Sequence, residues 1–475
     1  MTAISRNTRR RLALYGGAAA AALLILGLPR LVSRVAPRMA LRDVYREADR
    51  LAGHEAVRLL TEYVRIDTSN PPGDTRAGAA FLARAFECEN IPYEITGLRD
   101  QPVLVARLEG RSREGALLLL SHMDVVPPGD LAKWKKPPFS GARGDAEDRQ
   151  YLYGRGTLDM KGQAVAYLSA MAKLKRAGVV PERDIVFLAE SGEETFDPTI
   201  GVGWVLAHRP DLLAGVHEAL NEGGVNEVIA TDVERYGIEV MQKAVVSAYA
   251  DAPAKEALES FRDFLKEKDA LLPVRVDSTV REFMRFIAPS RSDVWGRLML
   301  GEKDAVLSRK FLDEIPEVYR SLMKDAIYVG GIEPGLSGGF TMRIVWALLP
   351  GSSVQLRYEE LRGWAKEHGL ALRVHFLTDD AVPSDRTGRV WDVLNRVLGL
   401  DPERAPVGIY ILNGSYTTSS YLRPRGFRVY GVSPFNLNIV EAGKIHNPNE
   451  RISLPTYVEG VERMERIVRE FATSP

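Results

Sequence analysis

The chain has 475 residues, more than one compact core accommodates, and this length implies two or three domains. Lys plus Arg and Asp plus Glu both total 63, so the formal net charge is zero; this argues against a nucleic-acid partner, and there is no acidic tail. Cys88 is the single cysteine, which excludes an internal disulfide and a thiolate metal cluster, so any metal site must use His, Asp and Glu.

The basic run "RNTRRR" (6–11) precedes the uncharged "LALYGGAAAAALLILGLP" (12–29). About 17 apolar residues is near the lower limit for crossing a bilayer. No small-x-small cleavage site follows directly. Arg30, Arg34 and Arg38 flank the far side, so the charge rule for orientation is indecisive. Residues 1–39 therefore read as an N-terminal membrane anchor with the globular part exported to the periplasmic or extracellular side. If the segment is a cleaved signal, the remainder is secreted.

Residues 40–66 show helical spacing, and "DTSNPPGDT" (67–75) is turn chemistry. "AGAAFLARAFECE" resumes a helix, and "PVLVARLEG" and "GALLLLSH" read as strands. An amphipathic helix over 161–178 is closed by Gly178, and "RDIVFLAE" (183–190) and "VHEALNEGG" supply further strands. Continuous Leu/Val/Ile runs suit buried parallel strands, and their alternation with helices implies α/β layering. Residues 254–325 change to long, charged, helix-rich segments. Three β-like pieces and one helix follow, up to "LALRVHFLTDD". From about residue 385 the α/β character returns and runs to a final helix over 454–471. The expected fold is α/β: an open, mostly parallel sheet with helices on both faces, interrupted by an inserted α+β domain. The expected boundaries are 40–240 and 385–475 for the two parts of the α/β domain, and 241–384 for the insert.

In an open α/β sheet, ligands bind outside the carboxyl ends of the strands. At those ends stand His122 and Asp124 in "SHMD", Glu193 and Glu194 in "SGEE", and Glu222 in "NEGG". Asp159 lies in "YGRGTLDMKG" at the entry to a helix, and His446 in "KIHNPNER" just before another. Each alone admits a plainer reading as a surface pair, a turn residue, a loop carboxylate or a helix cap. Together, imidazoles and carboxylates without thiolate suit zinc, manganese or cobalt. Five ligands can hold two metals if one carboxylate bridges, and an acid beside a ligand can act as general base.

"SHMDVVP", "W…PPFSG", "YGRGTLDMKG", "SGEE", "NEGG" and "IHNPNERIS" in this order resemble the M20 family of zinc metallopeptidases and aminoacylases, with a flavour of its carboxypeptidase S and N-acyl-amino-acid hydrolase branch. The resemblance covers roughly 54–240 and 385–470. It implies a catalytic α/β domain, an inserted lid domain and two Zn2+ ions, with Mn2+ or Co2+ as alternatives. His122 and Glu222 would bind one metal, Glu194 and His446 the other, and Asp159 would bridge. Asp124 would orient the His122 ring, Glu193 would be the general base, and the Asp159–Met160 peptide would be cis. The implied substrates are peptides with a free carboxylate or N-acyl amino acids. Pairing of two copies through the insert is also implied.

The insert departs from this pattern. The family normally offers a histidine soon after the insert's first strand, whereas "EVMQKAVVSAYADAPAKEALESF" contains none. The insert's only histidines are His368 and His375, near a helix end and in a strand. Ala347 stands where the family often has an arginine before "LPG", and Gly338 and Gly339 read as a hairpin turn. Two alternatives to an amidohydrolase therefore stay open: a metal-binding protein with lost or narrowed catalysis, and an esterase or lactonase on the same metals.

Overall fold

The structure, a computed structural model, describes residues 41–145, 148–195, 197–229, 232–276, 278–288, 320–335, 338–400, 405–412 and 417–474. The expected anchor at 12–29 lies outside them, as do residues 289–319 of the helix-rich stretch expected at 254–325. Among the described residues no helix is long and apolar enough to cross a membrane. They divide into two compact units: one of residues 41–241, 382–410 and 417–474, the other of 242–381 with 411 and 412.

The strands, in chain order, begin with β1 (Tyr93–Gly97), β2 (Pro102–Leu108), β3 (Ala116–His122), β4 (Tyr151–Tyr153), β5 (Ile185–Glu190) and β6 (Val216–Asn221). β7 (Val225–Ile229), β8 (Asp232–Gln242), β9 (Ala244–Ala252), β10 (Ala326–Pro334), β11 (Phe340–Leu348) and β12 (Ala371–Leu377) follow. β13 (Val407–Leu412), β14 (Arg428–Gly431) and β15 (Arg451–Ser453) complete the set. The first unit is built on a nine-stranded sheet of order β1-β2-β5-β3-β6-β14-β8-β13, with β7 paired to β8. Its central strands β5, β3, β6 and β14 are parallel, while β2 and β8 join antiparallel. The mostly parallel α/β sheet expected from the sequence is therefore present.

Every residue of β3, "ALLLLSH", is buried, as a parallel strand covered on both faces requires. Leu118 and Leu120 pack with Val186, Leu188 and Val202 in one core cluster. Burying each such leucine contributes roughly 1.5–3 kcal/mol. The helices of this unit include α1 (Leu41–Leu51), α2 (Glu55–Val64), α3 (Arg76–Cys88), α4 (Lys161–Arg176) and α5 (Gly201–His208). The helical stretch expected over 40–66 is two helices, because the His54 imidazole accepts the Ala56 N–H and starts α2 afresh. Gly178, at φ +65°, stops α4 as expected, with its own N–H donating to Lys175 and that of Val179 to Leu174.

The second unit is a four-stranded antiparallel sheet of order β10-β11-β9-β12. One face carries α6 (Lys255–Leu271) and α8 (Val354–Glu367) over a core of Ala248, Ala250, Phe261, Ile344 and Trp346. A further helix, α7 (Ser278–Ile287), follows α6. The sequence suggested three strands here; β9 is the fourth. Its inner face is mostly alanine, a weak hydrophobic signal. The chain returns to the first unit through α9 (Arg389–Gly399) and ends in α10 (Leu454–Thr473), capped by the Ser453 hydroxyl.

Candidate metal centre

The carboxyl ends of three neighbouring parallel strands supply most of the site. His122 is the last residue of β3, "SGEE" follows β5, and Glu222 follows β6. Asp159 precedes α4, and the Asp159–Met160 peptide is cis. His446 sits at φ +61° in a loop, and β15 intervenes between it and α10, so it does not directly precede a helix. Gly192, at φ +83°, makes the sharp turn out of β5, where a Cβ would lie 2.1 Å from Ile200. That turn lets Glu193 and Glu194 enter a single 3-10 turn directed into the site.

These side chains meet. His122 Nε2 lies 3.0 Å from Asp159 Oδ1 and 3.5 Å from Glu222 Oε1. His446 Nε2 lies 2.9 Å from Asp159 Oδ2 and 3.3 Å from Glu194 Oε2. The two oxygens of one carboxylate thus face two different imidazoles. Ligand atoms of His122, Asp159 and Glu194 lie within 4.8 Å of one another, as do those of His122, Glu193 and Glu222. Glu194 Oε1 accepts the Val126 N–H, whereas no hydrogen bond among the described residues ties down the Glu193 carboxylate.

The His122 ring is oriented by its Nδ1–H, which donates to the Asp124 carbonyl oxygen at 2.8 Å; the Asp124 carboxylate Oδ1 is 3.8 Å away. Nε2 is then the nitrogen turned toward Asp159 and Glu222. The fully buried Asp124 carboxylate instead accepts the Glu194 N–H at 3.2 Å and the Asn70 amide at 2.9 Å. Asn70 belongs to "DTSNPPGDT", whose sequence reads as turn chemistry and resembles the same branch of the family, with no role given to Asn70. This segment is a strap. Asn70 N–H donates to Val125, Thr68 Oγ1 donates to Met123, and Thr75 Oγ1 lies 2.5 Å from Ser191 Oγ. It braces the His122 loop and the "SGEE" loop together, with hydrogen bonds worth about 1 kcal/mol each. An Asn between turn residues, adjacent to no apolar run of its own, was the one available signal.

The electrostatics are those of a cation site. Burial raises Glu193 well above the usual carboxylate range, and Glu222, Glu194 and Asp159 beside it push the same way. Burial and Asp159 push Glu222 up to about 7, and also raise Glu194. Burial opposes protonation of both imidazoles, yet the carboxylates around them win: His122 rises well above its ordinary value and His446 to about 11. Asp159 falls well below the usual range, because hydrogen bonds from His122 and His446 outweigh its burial. Four acids and two imidazoles share protons where divalent cations would balance the charge, so this donor set fits zinc-type metals.

The histidines of the second unit lie in other surroundings. His375 stands at an irregularity in β12, 3.3 Å from Ser247 Oγ and edge-on to Tyr249. His368 caps α8, bonded to the Trp364 carbonyl and packed on Phe264. Ala347 is buried in β11 opposite Ala326. Gly338 and Gly339, both at positive φ, turn β10 into β11.

A model of peptidase family M20/M25/M40 matches residues 118–470. Human aminoacylase-1 is 26% identical over 453 residues, spanning 89% of this chain and 96% of that protein. Among solved structures, the M20 metallo-carboxypeptidase Sso-CP2 of Sulfolobus solfataricus superposes with a TM-score of 0.69 at 16% identity, covering 88% of this chain and all of that one. Human carnosine dipeptidase 1 gives 0.65 at 17% identity over 92% of this chain and all of that one.

Proposed function

The chain belongs to peptidase family M20/M25/M40, and from that premise we propose that it is a two-metal hydrolase of amide bonds, acting on peptides with a free carboxylate or on N-acyl amino acids. One observation carries this reading: the Asp159 carboxylate offers Oδ1 toward His122 and Oδ2 toward His446, 3.0 and 2.9 Å away. His122 and Glu222 would hold one cation, His446 and Glu194 the other, with Asp159 between them. Zinc fits the donors, and manganese or cobalt would be held by the same set. When bound, such a pair supplies Lewis acidity toward a carbonyl oxygen and a lowered water pKa.

The chain's own groups do the rest. Glu193, whose carboxylate no hydrogen bond among the described residues restrains, would take a proton from the attacking water and return it to the leaving nitrogen. Its neighbour Glu194 is held by Val126 and His446, which suits the roles of base for Glu193 and ligand for Glu194. Asp124 acts on the first ligand through its carbonyl and on the Glu194 backbone through its carboxylate.

The test is a panel of N-acyl amino acids, dipeptides and esters assayed with the purified chain, with and without zinc, beside Glu193→Gln. Zinc-dependent turnover of amides that Glu193→Gln abolishes, with metal content unchanged, supports the reading. Turnover of esters alone would favour an esterase or lactonase, the alternative suggested by the absence of histidine along β9 and the start of α6. Metal binding without turnover on any substrate would favour a binding role. We further propose, from residues 12–29 alone, that the hydrolase is anchored with its globular part exported. A C-terminal fluorescent fusion confined to the soluble cytoplasmic fraction would contradict that.

A further inference from the structure

The motif "IHNPNERIS" contributes His446 to the centre, but its Glu450 has no role so far. Glu450 is fully buried. Its Oε2 accepts Arg155 Nη1 at 2.5 Å. Its Oε1 accepts the backbone N–H groups of Gly156 at 3.0 Å, Leu158 at 2.8 Å and Asp159 at 3.4 Å, with Thr157 Oγ1 at 3.5 Å. The Glu450 carbonyl also accepts the Gly154 N–H at 3.0 Å. A salt bridge to Arg155 would occupy one oxygen only. The other oxygen is wrapped by the very loop that ends in Asp159. Converging backbone N–H groups form an anion-binding concavity, and here a side chain from the His446 loop fills it. Gly156 has φ +91°, a backbone conformation that L side chains rarely adopt, and a Cβ there would press on Lys161 and Val125 at 3.0 Å.

The His446 loop is fixed in turn from its other side. Asn449 donates to the Lys133 carbonyl at 2.7 Å and accepts the Lys135 N–H at 2.6 Å. Two ligands from distant parts of the chain are therefore joined through one carboxylate.

We propose that Glu450 is a positioning residue for the metal centre: it holds the 154–159 loop so that Asp159 spans both imidazoles before any metal arrives. This rests on the two-metal reading above, and the test separates the two. The full chain and Glu450→Gln are titrated with Co2+, following the visible spectrum and metal stoichiometry. For wild type, two tight equivalents are expected. Glu450→Gln keeps the shape but turns an amide toward N–H donors, and the second equivalent should weaken about 10–100-fold. Turnover of Glu450→Gln should fall below wild type through kcat, with KM unchanged, and should recover in part at high metal. A lowered melting temperature with both equivalents as tight as wild type would overturn the role of Glu450 alone. Fewer than two equivalents in wild type would overturn the two-metal reading, and this inference with it. A second measurement needs no variant. In the metal-stripped wild-type chain, amide exchange over 155–160 should be slow. Fast exchange that slows only on adding Co2+ would mean that metal orders the loop, and would overturn the proposal.

Discussion

His122 and His375 both lie on strands, and their surroundings set them apart. His122 is buried at the end of β3 among Glu222, Asp159 and Glu193, and those acids hold its pKa well above the ordinary value despite burial. His375 is exposed on β12; partial burial, Arg343 and Arg373 hold it below the ordinary value. The first ring sits where positive charge is favoured, the second where it is opposed. A histidine becomes a metal-ligand candidate through the charge packed around it, and the two units of this chain supply opposite charges.

The largest effect should come from removing the carboxylate proposed as base on the acidic side. Glu193→Gln is expected to lower kcat by about 10²–10⁴-fold while both metal equivalents remain, measured by steady-state kinetics beside elemental analysis. Comparable turnover in that variant would move the base elsewhere. Loosening the strap should cost less. Asn70→Ala removes the amide that Asp124 accepts, and about a 10-fold loss of metal affinity is expected from competition with a chelator.

A third prediction concerns stability on the acidic side. Burial raises the Glu190 carboxyl to about 7, against hydrogen bonds from Thr418 and Val202 that work to lower it. The folded state then keeps its proton up to about pH 7, while the unfolded chain releases it near the ordinary value of 4.5. The folded state binds more protons between these values, so this group's contribution is fullest below pH 4.5 and declines as pH rises toward 7. The loss is on the order of 3 kcal/mol. Urea denaturation of the metal-stripped chain at pH 5 and pH 8 should show that slope, and Glu190→Gln should flatten it. An unchanged slope would mean that Glu190 is ionised in the folded protein.

The smallest effect is expected on the basic side. His375→Gln should alter stability by no more than about 0.5 kcal/mol, as for an exposed substitution, and leave turnover near wild type. A large loss of turnover would break the comparison by giving the second unit's histidine a part in the reaction.

His122, Glu193, Glu194 and Glu222 were legible in the sequence because each follows a continuous apolar run, and strand ends in an α/β sheet are where ligands gather, whereas Asp159 and His446 stand in loops and were legible through their motifs. "GALLLLSH" announces both β3 and His122. The strap was legible as turn chemistry and as a family-like segment, but its bracing role was not, since the partner of Asn70 is Asp124, far along the chain, and composition carries no pairing information. β9 was missed for a different reason. Alanines fill most of its core-facing positions beneath α6 and α8, so its alternation is shallow and no strand was assigned there. The role of His375 was undecidable until Arg343 and Arg373 were placed beside it.

The central claim is that Asp159 stands between two metals. Anomalous diffraction at the zinc edge, from crystals grown with zinc, tests it most directly. Two peaks are expected, one beside His122 and Glu222 and one beside His446 and Glu194, with the Asp159 carboxylate between them. A single peak, or peaks that leave Asp159 uncoordinated, would contradict the account.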